Sequence, residues 1–203
     1  MIGVVDYRAG NAPSVMYALR RLGIPARSVR DPGALESVDK VILPGVGAAK
    51  ATLASLRESE LLETLDRRVR VDGIPFLGIC IGLQVLFDRS AEGSTDCLGW
   101  VAGSVERFPD DDRVPQIGWN AVRFERAHPA VAGLPNPSYC YFVNSYYARP
   151  TDDSAVLATT DYSVSFCSMV ADRNIVATQF HAEKSGELGL RILANFAAWD
   201  GAC

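Results

Sequence analysis

IPFLGICIGLQVLF, residues 74–87, reads as a strand, a sharp turn and a helix. The apolar run 74–77 is a short buried strand, with Pro75 tolerated near its start. Gly78-Ile79-Cys80-Ile81-Gly82 interrupts it, and residues 83–87 resume with helical character. A nucleophile at the apex of a strand-turn-helix is the nucleophile elbow, with Cys80 where hydrolases place serine. The two glycines let strand and helix approach closely around a strained central residue. The elbow alone leaves two readings open. Cys80 is a catalytic thiol, or it is merely buried, since free cysteine is among the most buried residue types.

Upstream, residues 2–7 (IGVVDY) form a first strand with Asp6 and Tyr7 at its polar end. A loop at 8–13 leads to a helix over 14–22, stopped by Gly23 with Pro25 beyond it. Residues 26–29 make a second strand and 40–43 (KVIL) a third, which runs into Pro44-Gly45-Val46-Gly47. Residues 48–71 carry leucines at helical spacing, with a break near 58–60. This alternation implies a parallel sheet covered on both faces, with ligands collecting at the strand C-termini. Tyr7, the 44–47 loop and Cys80 share that edge. Downstream, 114–124, 138–149, 156–162 and 166–181 read as β, including a hairpin through Asp172-Arg173-Asn174. Ser185 is an N-cap for a last helix, 186–199, with Glu187 at its positive end. No linker or repeat divides residues 1–203. The expected architecture is α/β: a single three-layer domain whose central, mostly parallel mixed sheet is flanked by helices, with an antiparallel C-terminal extension.

Of the 203 residues 48% are hydrophobic and 22% charged, the balance of an ordinary folded protein. A net charge of -4 argues against nucleic acid or an anionic membrane as the main partner. The basic cluster Arg67-Arg68-Val69-Arg70 fits a solvated helix face. Cys80, Cys97, Cys140, Cys167 and Cys203 are odd in number and lack metal-binding spacing. Together with no signal peptide and no long apolar span, they point to a reducing, cytoplasmic compartment without structural disulfides. No motif for a metal or cofactor stands out.

A catalytic cysteine needs a base, and the chain has two histidines. His128 precedes Pro129 in a polar loop and is expected at the surface. His181 closes a strand. If that strand persists, Glu183 points to the same side as His181. A carboxylate beside an imidazole fixes its tautomer and stabilises its protonated form, the base-and-orienter arrangement of a triad. For the oxyanion, the N–H of Ile81 is the first donor. A second could come from Gly45, Val46 and Gly47, where glycines let a peptide reorient. The plainer alternative for that loop is a strand-to-helix turn.

GICIGLQ at 78–84 and FHAEKSG at 180–186 resemble the class I (triad) glutamine amidotransferases, whose sheet is flavodoxin-like. DYRAGN at 6–11, PGVGA at 44–48, VPQIGWN at 114–120 and YFVNSYY at 141–147 resemble one family within them. It is that of the glutaminase subunits of imidazole glycerol phosphate synthase, in histidine biosynthesis. The resemblance implies Cys80 as nucleophile, His181 as general acid/base and Glu183 as orienter. It implies Gln84 and Glu92 on glutamine's polar groups, Ser145 and Tyr146 lining the same pocket, and Gly45, Val46 and Gly47 as the oxyanion loop. It places Asn11 and Lys184 near a partner. Two positions depart from the family pattern: Ala182 stands where His-Pro-Glu is usual, and Arg8 where glycine is usual.

The implied reaction takes L-glutamine to glutamate and ammonia through a thioester on Cys80. Ammonia then passes to a separate (βα)8-barrel cyclase subunit, since this chain has no room for the second activity. Three rivals remain: a glutaminase of another pathway such as pyridoxal phosphate synthesis, a stand-alone γ-glutamyl hydrolase, and a regulatory subunit that keeps the fold without catalysis. The segments 114–120 and 141–147 argue against the first. Partner-independent activity would mark the second, and turnover insensitive to Cys80→Ala the third.

Overall fold

The computed structural model describes residues 1–7, 10–110 and 113–202. Arg8, where the sequence departs from the family pattern, and Cys203 lie outside them. β1 (Ile2–Val5) is buried along its whole length, as the apolar run in a sheet covered on both faces requires. It leads through α1 (Ala12–Arg21) to β2 (Ala26–Val29). A short α2 (Pro32–Glu36), not expected from the sequence, is capped by Asp31, whose carboxylate accepts the Ala34 N–H at 2.8 Å. β3 (Lys40–Gly45) runs two residues further than KVIL, through Pro44 and Gly45. α3 (Ala49–Glu58) and α4 (Leu61–Asp66) follow, separated at Glu60 by a left-handed residue, φ 58°. A wide turn at Arg67–Val71 returns the chain to β4 (Phe76–Cys80), and α5 (Ile81–Gln84) completes the elbow.

Beyond the elbow come β5 (Arg89–Ser90), β6 (Thr95–Asp96), β7 (Gly103–Arg107), β8 (Gln116–Phe124) and β9 (Ser138–Asn144). Then follow β10 (Tyr146–Pro150), β11 (Val156–Asp161), β12 (Ser165–Asp172), β13 (Ile175–Thr178) and α6 (Gly186–Ala198). The sheet order is β2-β1-β3-β4-β13-β12-β10-β7-β5-β6. It is parallel from β2 to β13 and turns antiparallel at β12. The β8–β9 ribbon joins through β11. The β1-to-β2 and β3-to-β4 crossovers run in opposite directions along the sheet, so right-handed connections put α1 and α3 on opposite faces. That is the helix-covered mixed sheet expected, as a single α/β domain.

Register matters more to function than layering. Gly45 lies opposite Cys80, and Thr178 lies opposite Ile79. Three C-terminal strand ends therefore bring the 44–47 loop, the elbow and His181 to one place. Tyr7 sits there too, buried rather than marking a polar end. Its hydroxyl donates to the Pro44 carbonyl at 3.1 Å.

Several local expectations need correction. The helix after the elbow spans Ile81–Gln84, not 83–87. The carbonyls of Val85, Leu86 and Phe87 are taken instead by the N–H groups of Leu98, Trp100, Val101 and Gly99. The segment 138–149 is two strands broken at Ser145, where the chain leaves β8 and joins β7. Ser185 does not cap α6; its hydroxyl donates to His181 O at 2.7 Å and accepts the Tyr141 N–H at 2.9 Å. His128 is not a surface residue. It is 6% exposed, its ring packs edge-on against Trp199, and its Nδ1 accepts the Ala130 N–H at 3.1 Å. Burial, with Arg126 near, pushes its pKa down to about 4.

Candidate active site

Cys80 ends β4 with φ 57° and ψ -104°, a conformation that only the surrounding structure can impose on a residue with a side chain. Such strain typically costs on the order of 1–3 kcal/mol. The glycines on either side make it possible. A Cβ on Gly78 would lie 2.4 Å from Gly82 O, and one on Gly82 only 2.0 Å from Leu43 O. Cys80 is thereby lifted to the head of α5, where it lines a cleft of about 260 Å³.

His181 does not continue a strand. β13 stops at Thr178, and Ala182–Lys184 forms a tight helical turn, so the same-side argument for Glu183 fails. The pair meets by another route. Curling the chain after His181 returns Glu183 beneath the ring, and Nδ1 lies 2.9 Å from Glu183 Oε1. The side chains are 4% and 0% exposed. Burial would lower the imidazole pKa, but hydrogen bonds and charge from Cys80 and Glu183 outweigh it and raise it to about 9. A second donor reaches the same carboxylate oxygen: Asn11 Nδ2, at 2.9 Å.

The cleft is lined by Val46, Gly47, Cys80, Ile81, Gln84, Glu92, Ser145, Tyr146 and His181, nine of the positions expected from sequence. Gly45 lies just below it, fully buried against Ile81 and the Tyr7 hydroxyl. Asn11 reaches Glu183 rather than the cleft, and Lys184 is exposed at the end of the Ala182–Lys184 turn. Gln84 is buried with both amide hydrogens engaged, at 3.2 Å to Tyr146 O and 3.0 Å to Gln179 Oε1. Its own Oε1 is buried with no partner among the described residues. Glu92 crosses to the start of α3, where its Oε2 accepts the Ala49 N–H at 3.1 Å.

Four contributors were missed in the sequence. Gln179 is wholly buried with Nε2 3.7 Å from Cys80 Sγ, and the Val143 carbonyl lies 4.0 Å from that sulfur. Asn144 and Pro115 complete the lining. Gln179 left a signal, a glutamine at the end of an apolar strand two residues before His181. Pro115, Val143 and Asn144 lie within the segments 114–120 and 141–147 that carry the resemblance, but nothing in their residue types marks them as cleft residues.

The chain matches the glutamine amidotransferase class-I family over residues 4–198. The imidazole glycerol phosphate synthase subunit HisH of Dehalococcoides mccartyi strain CBDB1 is 49% identical over 197 residues, 97% of this chain and 96% of its own. HisH of Chloroflexus aurantiacus is 43% identical over 207 residues, covering 100% and 97%. Among solved structures, a glutamine amidotransferase superposes with a TM-score of 0.77 at 24% identity, covering 98% of this chain and 99% of that one. PurLQS from Thermotoga maritima gives 0.75 at 17% identity, covering 97% of each. At such identities these last two speak for the fold alone.

Proposed function

The chain belongs to the class-I glutamine amidotransferase family, and from that premise we propose that Cys80, His181 and Glu183 are its catalytic triad. Its function is that of the glutaminase subunit of an imidazole glycerol phosphate synthase, in histidine biosynthesis. The observation that carries the residue assignment is the buried His181–Glu183 contact beside a cysteine at the apex of a strained elbow.

Glutamine enters the cleft with its α-ammonium toward Gln84 Oε1 and Glu92, and its side-chain amide over Cys80. The thiolate attacks the amide carbon, and the carbonyl oxygen becomes an oxyanion held by the Ile81 N–H and a peptide of Val46-Gly47. His181, protonated at the start, gives its proton to the departing ammonia and leaves a γ-glutamyl thioester on Cys80. It then takes a proton from the attacking water, and glutamate leaves. Ser145 and Tyr146 close the pocket. Gly47, at φ 92° with open space on its Cβ side, can turn its peptide without a clash.

One missing oxyanion donor costs about 10²–10³ in rate, so a loop that completes the hole only in the loaded complex restrains idle hydrolysis. The partner is a separate (βα)8-barrel cyclase, and the unit of folding is the whole chain, 1–203. Glutamine hydrolysis is expected to rise by roughly that factor of 10²–10³ when the partner and its nucleotide-like substrate are added. A free chain already hydrolysing glutamine at the full rate would overturn the gating and favour the stand-alone hydrolase.

The pH dependence follows from His181. Its pKa lies above the ordinary histidine value, at about 9, so the proton needed by ammonia is present below that pH and lost above it. The alkaline limb of kcat/KM for glutamine is expected near pH 9, with activity falling as pH rises. A limb centred on the ordinary imidazole value would contradict the Cys80–His181–Glu183 coupling. Among the described residues no helix is long and apolar enough to cross a membrane. The unpaired Cys80, Cys97, Cys140 and Cys167 fit a reducing compartment, and we assign the chain to the cytoplasm.

A further inference from the structure

We infer that Asn11 is a positioning residue of the triad, holding the Glu183 carboxylate in place through its side-chain amide. The inference rests on the triad reading above and adds a member to it.

Glu183 is an unusual carboxylate, because both of its hydrogen bonds fall on one oxygen. Oε1 meets His181 Nδ1 and Asn11 Nδ2, each at 2.9 Å, while Oε2 is buried with no partner among the described residues. A carboxylate held by the imidazole alone could swing about its last torsion and carry the ring with it. Asn11 supplies the second point that stops it.

The orientation of the Asn11 amide is set independently. Ser14 Oγ donates to Asn11 Oδ1 at 2.7 Å, so the oxygen faces the serine and the NH₂ group faces Glu183. The reverse orientation would set the amide oxygen against the carboxylate.

Local sequence frees Asn11 for this task. It occupies the residue before α1, where asparagine ordinarily accepts an N–H of the first turn. No such cap is made here. Pro13, the second residue of the helix, has no N–H to offer, which removes one of the donors a cap would serve. The side chain is released toward a residue 172 positions away. The positive end of the ten-residue α1 then also lies beside the buried carboxylate.

This differs from a contact at a partner interface, and the two make separable predictions. In the assembled synthase at saturating partner, Asn11→Ala is expected to lower glutamine-dependent kcat about 10- to 100-fold, the size of a lost hydrogen bond to a charged group. KM for glutamine should change little, and the alkaline limb near pH 9 should move to lower pH as His181 loses its fixed carboxylate. Asn11→Asp should be worse than alanine, since two carboxylates then face each other. Ser14→Ala, which keeps Asn11 but frees its amide to rotate, should move the limb in the same direction with a smaller loss. It also serves as the second variant should Asn11→Ala fail to fold or co-elute with the partner.

Wild-type kcat with an unmoved limb in Asn11→Ala or Ser14→Ala overturns the inference. So does a loss that excess partner restores, which would make Asn11 an interface residue only. Cys80→Ala, run in parallel, separates the two levels. Turnover surviving in Cys80→Ala defeats the triad itself, whereas turnover lost there but intact in Asn11→Ala defeats only the role of Asn11.

Discussion

Cys80→Ala is expected to abolish glutamine-driven synthesis in the assembled enzyme, by about 10⁵-fold or more, as loss of a covalent nucleophile does elsewhere. Synthesis supported by added ammonia should continue, because in the proposed function the step that consumes ammonia belongs to the partner. The variant should fold and co-elute with the partner normally. Cys80 is buried, but alanine removes a single sulfur at the edge of a cleft and tolerates the same backbone about as well. A stability change within about 1 kcal/mol is expected. Cys140 and Cys167 make good controls. Burial pushes the pKa of both thiols up to about 12, so neither offers a thiolate near neutrality. Glutamine turnover that survives Cys80→Ala would sink the nucleophile assignment. Loss of co-elution would instead assign Cys80 a packing role.

The elbow was legible because three local rules agree there: an apolar strand, glycines at a close approach and a cysteine between them. The apolar strands β1, β3 and β4 were legible for the same reason, since their apolar residues are buried, whereas β2 is buried only at Val29. What failed was reasoning that extended a local pattern past its stopping point. Residues 85–87 look helical, but their carbonyls find partners in residues 98–101, far along the chain. His181 and Glu183 were paired on the premise of a continuing strand, and a tight turn brings them together instead. The polar appearance around His128 concealed a side chain wedged under Trp199. Ser185 looked like a cap, yet it links His181 to β9. In each case a contact distant in sequence decided the geometry, and single-residue propensity carries no information about such contacts. The resemblance named residues that mostly line one cleft, without showing how they meet. It also placed Asn11 near a partner, and the amide nitrogen of Asn11 is directed at the Glu183 carboxylate.

Gly82→Ala is expected to be among the most damaging single-methyl changes in the described residues outside Cys80, His181 and Glu183. An alanine Cβ there would sit 2.0 Å from the carbonyl oxygen of Leu43. That oxygen belongs to β3, whose residue Leu43 pairs with Gly78 of β4 at the centre of the parallel sheet. Neither side can yield cheaply. Moving α5 away drags Cys80 and the Ile81 N–H with it, and moving β3 disturbs pairing on both of its edges. Overpacking a rigid core ordinarily costs about 1–3 kcal/mol, and a clash with backbone on both sides should reach or exceed the top of that range. For a chain of this size that corresponds to a fall in Tm of roughly 6–12 °C. Molecules that remain folded should have a displaced elbow and so a glutaminase rate reduced more than stability alone explains. Gly33→Ala provides the contrast: its Cβ would meet only the Asp31 side chain, at 3.3 Å, on the exposed α2. Alanine is also the better helix former there. If both variants melt with the wild type and hydrolyse glutamine normally, the close packing of α5 on β3 does not hold the nucleophile. The strain at Cys80 would then need another source.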